Sequence, residues 1–168
     1  MKKQNMIEAR EGLFEIALTV NGVKRVVCVK NGEFLLDAVR RLGLKGTKKG
    51  CDTGDCGSCA VMLNGLPVLA CLVPAVAVHE GEITTIEGLG TVRSPHPIQE
   101  AFVEAGAVQC GFCIPGMILA SKHLLDRTPN PAEAEIRKAL DGNLCRCTGY
   151  VKQVEAVKIA AKRLRAEG

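Results

Sequence analysis

CDTGDCGSCAVMLNGLPVLAC, residues 51–71, holds four cysteines whose spacing decides the structure of the first half of the chain. Cys51 and Cys56 are separated by four residues, Cys56 and Cys59 by two, and Cys71 follows later. Three side chains that converge within so short a run cannot belong to a regular helix or strand. The sequence therefore predicts a loop that gathers four thiols.

The spacing C-x4-C-x2-C…C is typical of a plant-type [2Fe–2S] site, in which each iron takes two thiolates. Gly50, Gly54 and Gly57 give the loop backbone freedom, including positive φ, and let N–H groups point at the sulfurs. Two disulfides are the alternative, but nothing marks the chain as secreted. Zinc is another alternative, although zinc sites favour paired C-x2-4-C units and the triplet fits them poorly.

A second quartet consists of a C-x2-C pair and a C-x-C pair that follows 31 residues later. Its members are Cys110, Cys113, Cys145 and Cys147. The two cysteines of C-x-C cannot both point inward from a helix, so we expect them on a turn between helices. Spacing alone leaves a four-cysteine zinc site open here, and the neighbouring plant-type loop favours a second iron–sulfur cluster.

The residues around the first quartet predict strands and one helix. LFEIALTV alternates apolar residues, and Asn21-Gly22 predicts a type I′ turn into VKRVVCVK. EFLLDAVRRLG predicts a short helix that ends at Gly43. Further strands are expected at 60–63, 67–71 and 82–86, with a second Asn-Gly turn at Asn64-Gly65 between the first two. This order suggests a β-grasp ferredoxin domain over residues 1–87.

After residue 87 the pattern predicts helices at 97–105, 115–127, 131–140 and 151–165, several of which open with proline. Asn130, with Glu133 three positions on, indicates a capping box. The second quartet falls at two of the interhelical turns. The predicted fold class is therefore α+β, with a plant-type β-grasp ferredoxin domain followed by a four-helix bundle over residues 88–168.

Charge and composition exclude two classes of partner. The formal charge of +4 is balanced by two oxidised clusters with their thiolates, at about −2 each, so no nucleic-acid partner is expected. No stretch is long and apolar enough for a membrane span, and MKKQNMIEAREG lacks the apolar run of a signal peptide. Nine cysteines without an export signal predict a cytoplasmic protein.

The strings GTKKGCDTGDCGSCAVMLNG, AVQCGFCIPGMILA and GNLCRCTGY resemble the iron–sulfur subunit of the molybdenum hydroxylase (xanthine oxidase) family. The likeness runs from about residue 13 to about residue 160, and both quartets fall where the family has them. Ile114 stands where the family usually has Thr, and Ser58 and Ala60 replace a more usual Ala and Thr. None of these departures affects a cysteine.

The resemblance implies two [2Fe–2S] clusters, a large subunit that binds molybdopterin, and usually a subunit that binds FAD, in a heterotrimer or a dimer of heterotrimers. The second-quartet cluster would lie beside the pterin and the first would pass electrons to the flavin. By the same resemblance, the Gln109 side chain hydrogen-bonds the pterin and the backbone of Cys147 approaches it. No catalytic residue is identified. The alternatives are a free-standing two-cluster carrier and a protein with one [2Fe–2S] cluster and a structural zinc.

The residues outside the quartets receive plainer interpretations. Cys28 is expected to be a buried structural thiol within a strand. His79, His96 and His123 are scattered, with no metal-ligand partner near them in sequence, and are interpreted as surface or packing residues.

Overall fold

The computed structural model describes residues 7–167, which form one six-stranded mixed sheet and five α-helices. The strands are β1 (Ile7–Arg10), β2 (Leu13–Val20), β3 (Val23–Lys30), β4 (Ala60–Leu63), β5 (Leu66–Leu69) and β6 (Glu82–Thr84). The helices are α1 (Leu35–Arg41), α2 (Pro97–Glu104), α3 (Ile114–Arg127), α4 (Glu133–Leu140) and α5 (Val151–Glu167). The predicted α+β class is confirmed.

The sheet is built around β2, which pairs with β3 along its whole length. β1 and β6 therefore share the other edge of β2, and β6 is its parallel neighbour. β4 joins β6 to β5 by antiparallel pairing. Both predicted Asn-Gly turns form: Asn21-Gly22 and Asn64-Gly65 have positive φ at both positions, as a type I′ turn requires.

Strand β3 lies at the edge of the sheet, and side chains satisfy two of its backbone groups. The Glu33 carboxylate accepts a hydrogen bond from the N–H of Lys30 at 2.9 Å. Arg41, which also pairs with Glu33, donates to the carbonyl of Cys28 at 3.0 Å. An edge strand whose backbone groups are occupied is a poorer template for pairing with another chain.

The expectation that Cys28 is buried is wrong, because this thiol is exposed. Strand residues alternate between the two faces of a sheet, and the buried face of β3 is occupied by Val27 and Val29. Cys28 lies between them and therefore points to the other face.

The predicted capping box of α4 is also wrong. The helix begins at Glu133, and Glu135 accepts a hydrogen bond from the N–H of Ala132 at 2.7 Å. A full capping box occurs at α2 instead, where the His96 side chain accepts from the N–H of Ile98 and Gln99 accepts from the N–H of His96. His96 is thus a helix-capping residue.

The buried side chains form two clusters, one in each half of the chain. The first joins the sheet to α1 through residues such as Ile16, Leu35 and Ile83, all fully buried. The second lies among α2–α5 and contains mostly aliphatic side chains together with Phe102, Met117 and Cys113. Helix α2 packs against α5 and α3 against α4. Buried cysteines of both quartets belong to these clusters, so the thiols sit where the two cores meet their loops.

Candidate metal centres

The first quartet lies on the predicted loop between α1 and β4, with Cys71 just after β5. Asp52, Gly54 and Gly57 all have positive φ, which wraps the chain around the thiols. Gly50 acts by its size: a Cβ there would lie 2.8 Å from the sulfur of Cys56. The turn of the loop is thus made by Asp52 together with two of the three glycines named from the sequence.

The thiols of the first quartet meet in pairs. The sulfurs of Cys59 and Cys71 are 3.4 Å apart and both side chains are buried. Cys51 contacts Cys56, and both are half-buried. A tetrahedral metal with bonds of about 2.3 Å holds its sulfur ligands about 3.8 Å apart, so a pair at this spacing fits a shared metal atom.

The second quartet also forms two pairs, at turns between helices as expected. Cys110 and Cys113 lie between α2 and α3, and Cys145 and Cys147 lie between α4 and α5. The sulfurs of Cys110 and Cys147 are 3.6 Å apart and exposed, and the Cys113 thiol contacts Cys145. Two pairs of thiols are the donor set of a two-iron core with two ligands on each iron.

Within residues 7–167 no group of three or more His, Cys, Asp or Glu side chains is placed so that it could hold one metal ion. The cysteines instead meet two by two in each quartet. This arrangement fits a binuclear cluster, in which the two irons are held by separate pairs of ligands.

The two quartets contain thiols with opposite acid–base properties. The pKa of Cys51 is lowered to about 6, because the Thr53 hydroxyl and the N–H groups of Thr53 and Cys56 stabilise its thiolate. Burial raises the pKa of Cys59 to about 11 and that of Cys113 to about 12. The buried thiols therefore keep their protons at neutral pH until a metal displaces them.

Cys145 is the counterpart of Cys51 in the second quartet. Burial raises its pKa, but the hydroxyl of Thr148 and the N–H groups of Cys147 and Thr148 outweigh that effect, so the pKa is lowered. The Tyr150 hydroxyl accepts a hydrogen bond from the N–H of Cys145 at 2.7 Å. These contacts hold the turn at residues 145–147 in position before the start of α5.

The two quartets approach each other where the first loop packs against the residues before Cys145. The carbonyl of Cys56 accepts a hydrogen bond from the N–H of Leu144 at 2.9 Å. A Cβ at Gly57 would collide with the backbone carbonyl oxygen of Gly142. A Cβ at Gly116 on α3 would lie 2.5 Å from the carbonyl oxygen of Gly57. Glycine is therefore required on both sides of this junction.

The remaining predicted site residue, Gln109, is exposed and adjoins the exposed Cys110. Large apolar side chains on either side of it, Val108 and Phe112, are also more than two-fifths exposed. The sequence reasoning missed Leu144 and Gly142, whose importance arises from a contact distant in the chain. The hydroxyls of Ser58 and Thr148 were also missed, although both lie within three residues of a cysteine that they contact.

Two family models match the chain in succession. Residues 18–82 match a 2Fe-2S iron–sulfur cluster binding domain, and residues 85–158 match a [2Fe-2S] binding domain. These matches and the paired thiols define the class: a protein with two [2Fe–2S] clusters. The zinc alternative for the second half is not supported.

This chain covers nearly the whole length of two curated relatives. The nicotinate dehydrogenase small FeS subunit of Eubacterium barkeri is 47% identical, over 88% of this chain and 95% of that protein. A nicotinate dehydrogenase subunit of Pseudomonas putida is 42% identical, over 89% and 96%. The chain belongs to the iron–sulfur subunits of the molybdenum hydroxylase family, and its role is electron transfer in such oxidoreductases.

Solved structures agree with this assignment. A chain of quinoline 2-oxidoreductase from Pseudomonas putida 86 superposes with a TM-score of 0.88 at 39% identity, covering 92% of this chain and 98% of that one. The aldehyde oxidoreductase from Desulfovibrio gigas gives 0.87 at 41% identity, but only 17% of its chain is covered. In that enzyme an equivalent unit is one part of a much longer polypeptide, so this chain works with catalytic partner subunits.

Proposed function

We propose that the eight quartet cysteines hold the two clusters as four ligand pairs, each pair on one iron. The pairs are Cys51 with Cys56, Cys59 with Cys71, Cys110 with Cys147, and Cys113 with Cys145. The observation that carries this proposal is the two-by-two contact of the sulfurs, at 3.4 Å for Cys59 and Cys71 and 3.6 Å for Cys110 and Cys147. When bound, each cluster takes up and releases one electron at a time.

We propose further that electrons cross between the quartets through the hydrogen bond from Leu144 to Cys56. Leu144 is joined covalently to Cys145, and the carbonyl that it contacts belongs to Cys56. The path from the Cys145 sulfur to the Cys56 sulfur therefore consists of the two cysteine side chains, a short stretch of backbone and this one hydrogen bond. The glycine contacts at Gly57 keep the backbones close enough for the bond to form.

We propose which cluster faces which partner from the solvent exposure of the cysteines in each quartet. Cys110 and Cys147 are exposed, and the exposed Gln109 and Phe112 lie beside them in the sequence. This surface suits a partner that brings a pterin against Gln109 and the backbone of Cys147. Cys51 and Cys56 are half-buried in a loop whose residues Asp52 and Asp55 face solvent, which suits transfer to a flavin.

The finer architecture is part of the same proposal. Residues 1–87 would form the β-grasp ferredoxin domain and residues 88–168 the four-helix domain, each with its own hydrophobic cluster and cysteine quartet. The partners would be a large subunit that binds molybdopterin and another that binds FAD, in a heterotrimer or a dimer of heterotrimers. None of the helices between Ile7 and Glu167 is long and apolar enough to cross a membrane. The cytoplasmic location stays a prediction.

Purification separates this proposal from a free-standing carrier. We expect the chain to copurify in a stable complex that contains molybdenum and flavin. A chain that elutes as a monomer and exchanges electrons without a tightly bound partner would support the carrier instead.

The ligand assignment is tested by Cys113→Ser, with Cys28→Ser as the matched control. Cys113→Ser should remove the second cluster and stop turnover, while the EPR signal of the plant-type cluster persists. Cys28 is exposed and outside both quartets, so Cys28→Ser should leave both signals and turnover unchanged. Unchanged turnover in Cys113→Ser would contradict the relay.

A further inference from the structure

Besides the Thr53 hydroxyl at Cys51, two further side-chain hydroxyls contact cysteine sulfurs, one in each quartet. The Ser58 hydroxyl lies 3.0 Å from the sulfur of Cys56, and the Thr148 hydroxyl lies 3.1 Å from the sulfur of Cys145. Cys56 and Cys145 are the two cysteines nearest the junction between the quartets, on either side of the hydrogen bond from Leu144. Both hydroxyls therefore act where the two ligand sets face each other.

The direction of the hydrogen bond at Ser58 follows from the chemistry of its partner. A cysteine that ligates iron is a thiolate and has no proton to donate, so the hydroxyl must be the donor. Ser58 is 3% exposed, which removes water as a competing acceptor. The absence of a side chain at Gly50 leaves the necessary room, since a Cβ there would lie 2.5 Å from the Ser58 oxygen.

The direction at Thr148 is fixed by the fully buried Gln153. The amide nitrogen of Gln153 donates to the Thr148 hydroxyl oxygen at 2.5 Å and to the carbonyl of Ala107 at 3.1 Å. A carbonyl can only accept, so the group that faces Ala107 must be the NH2 of the amide. The Thr148 oxygen therefore accepts from Gln153, and its own hydrogen is left to point at Cys145.

Burying Gln153 carries a cost that this arrangement explains. Its side-chain oxygen has no hydrogen-bond partner among the described residues, and a buried polar atom without a partner costs about 1–3 kcal/mol. A purely apolar side chain would fill the space without that cost. The amide supplies the shorter of the two hydrogen bonds that the Thr148 oxygen accepts, since the N–H of Tyr150 donates to the same oxygen at 3.4 Å.

We propose that Ser58 and the Thr148–Gln153 pair are positioning residues that raise the reduction potentials of the first and second clusters, respectively. The inference rests on the ligand assignment proposed above. Reduction adds one negative charge to a cluster, and a donor aimed at a thiolate sulfur stabilises the reduced form more than the oxidised form. Taken by itself, the donor on Cys56 favours electron flow from the second cluster to the first, whereas the donor on Cys145 favours retention of the electron by the second cluster.

The test is a redox titration of the purified complex, monitored by EPR, in which each cluster has its own signal. Ser58→Ala should lower the midpoint potential of the first cluster and leave the second unchanged. Thr148→Val should lower the midpoint of the second cluster alone. Ser58→Thr and Thr148→Ser keep a hydroxyl, so each should restore the midpoint towards the wild-type value.

A matched control is available at Ser121, which is fully buried and donates to the carbonyl of Met117 at 2.7 Å within α3. Ser121→Ala removes the same atom at the same burial but touches no cysteine sulfur, so both midpoints should stay at their wild-type values. The role of Gln153 is tested by comparing a single variant with a double variant that also changes Thr148. Gln153→Leu should lower the midpoint of the second cluster, and should lower it no further when combined with Thr148→Val.

The outcomes separate this inference from the ligand assignment. A Ser58→Ala complex with both signals intact and both midpoints unmoved, or shifted no more than in Ser121→Ala, overturns the tuning role. If Cys56→Ala keeps its full iron content, the ligand assignment itself has failed. If Thr148→Val assembles no second cluster, Gln153→Leu decides the case, because it keeps the hydroxyl and removes the amide that orients it.

Discussion

The carbonyl oxygen of Cys56 and the N–H of Leu144 are hydrogen-bonded at 2.9 Å, although 87 residues separate them in the chain. Cys56 belongs to the loop of the first quartet, and Leu144 directly precedes Cys145 of the second. This bond thus connects the backbone of one quartet directly to the residue that precedes a cysteine of the other. In the proposed relay, the packing of the two halves of the chain therefore sets the path that electrons take between the quartets.

Replacing the N–H of Leu144 tests the path. Leu144→Pro removes the donor and leaves the Cys56 carbonyl without this partner, at a cost of about 1–3 kcal/mol. We expect both clusters to assemble, but the first to be reduced more slowly after the second when turnover is followed by rapid-freeze EPR. Leu144→Ala keeps the N–H at an exposed position and should behave as the wild type. Equal rates in the two variants would mean that electrons take another path.

Gly57 is the second test of the junction. Gly57→Ala should lower the free energy of unfolding for two reasons: its positive φ disfavours a side chain by about 1–2 kcal/mol, and the new Cβ collides with the Gly142 carbonyl oxygen. The collision should add about 1–3 kcal/mol. Gly65→Ala has the same sign of φ and no atom within 4 Å of its Cβ, so it should show the first effect alone.

Chemical denaturation measures both variants. If Gly57→Ala and Gly65→Ala destabilise the protein equally, the contact between the two halves does not limit the approach of the loop. In the expected case Gly57→Ala should also slow transfer between the clusters, since the same collision moves Cys56 away from Leu144.

The thiol pKa values predict an order of reactivity in the iron-free chain. Cys51, with a pKa of about 6, is a thiolate at pH 7 and should be alkylated first, with a rate that rises through pH 6. Cys59 and Cys113, with pKa values of about 11 and 12, should remain protonated and react last. Mass spectrometry of peptides after timed alkylation gives the order. Equal rates for all three, rising together near pH 9, would show that the loop loses its structure without iron.

Much of the fold follows from local patterns in the sequence. The alternation in LFEIALTV and the two Asn-Gly turns predict β2 and β3, and the helical patterns, three of them with a proline near the start, predict the four later helices to within a few residues. Strand β1 has no such pattern, because it is short and its pairing with β2 is irregular. The face to which Cys28 points could have been predicted, since it lies between the apolar Val27 and Val29.

The gathering of the cysteines into two groups was predictable because cysteine spacing is a local property, whereas the junction between the groups was not. The contacts of Gly57 with Gly142 and of Cys56 with Leu144 join segments distant in sequence, and neither leaves a periodic signal. The hydroxyl donors were predictable only in part. Ser58 and Thr148 lie close to cysteines in sequence, but only the fold brings Gln153 against Thr148.

The most direct test of the two-cluster relay is the metal content of the purified complex together with EPR of its dithionite-reduced form. Two [2Fe–2S] clusters predict about four Fe per copy of this chain, no Zn bound to it, and two distinct signals of equal spin intensity. About two Fe with one Zn in this chain, and a single iron–sulfur signal, would contradict the account.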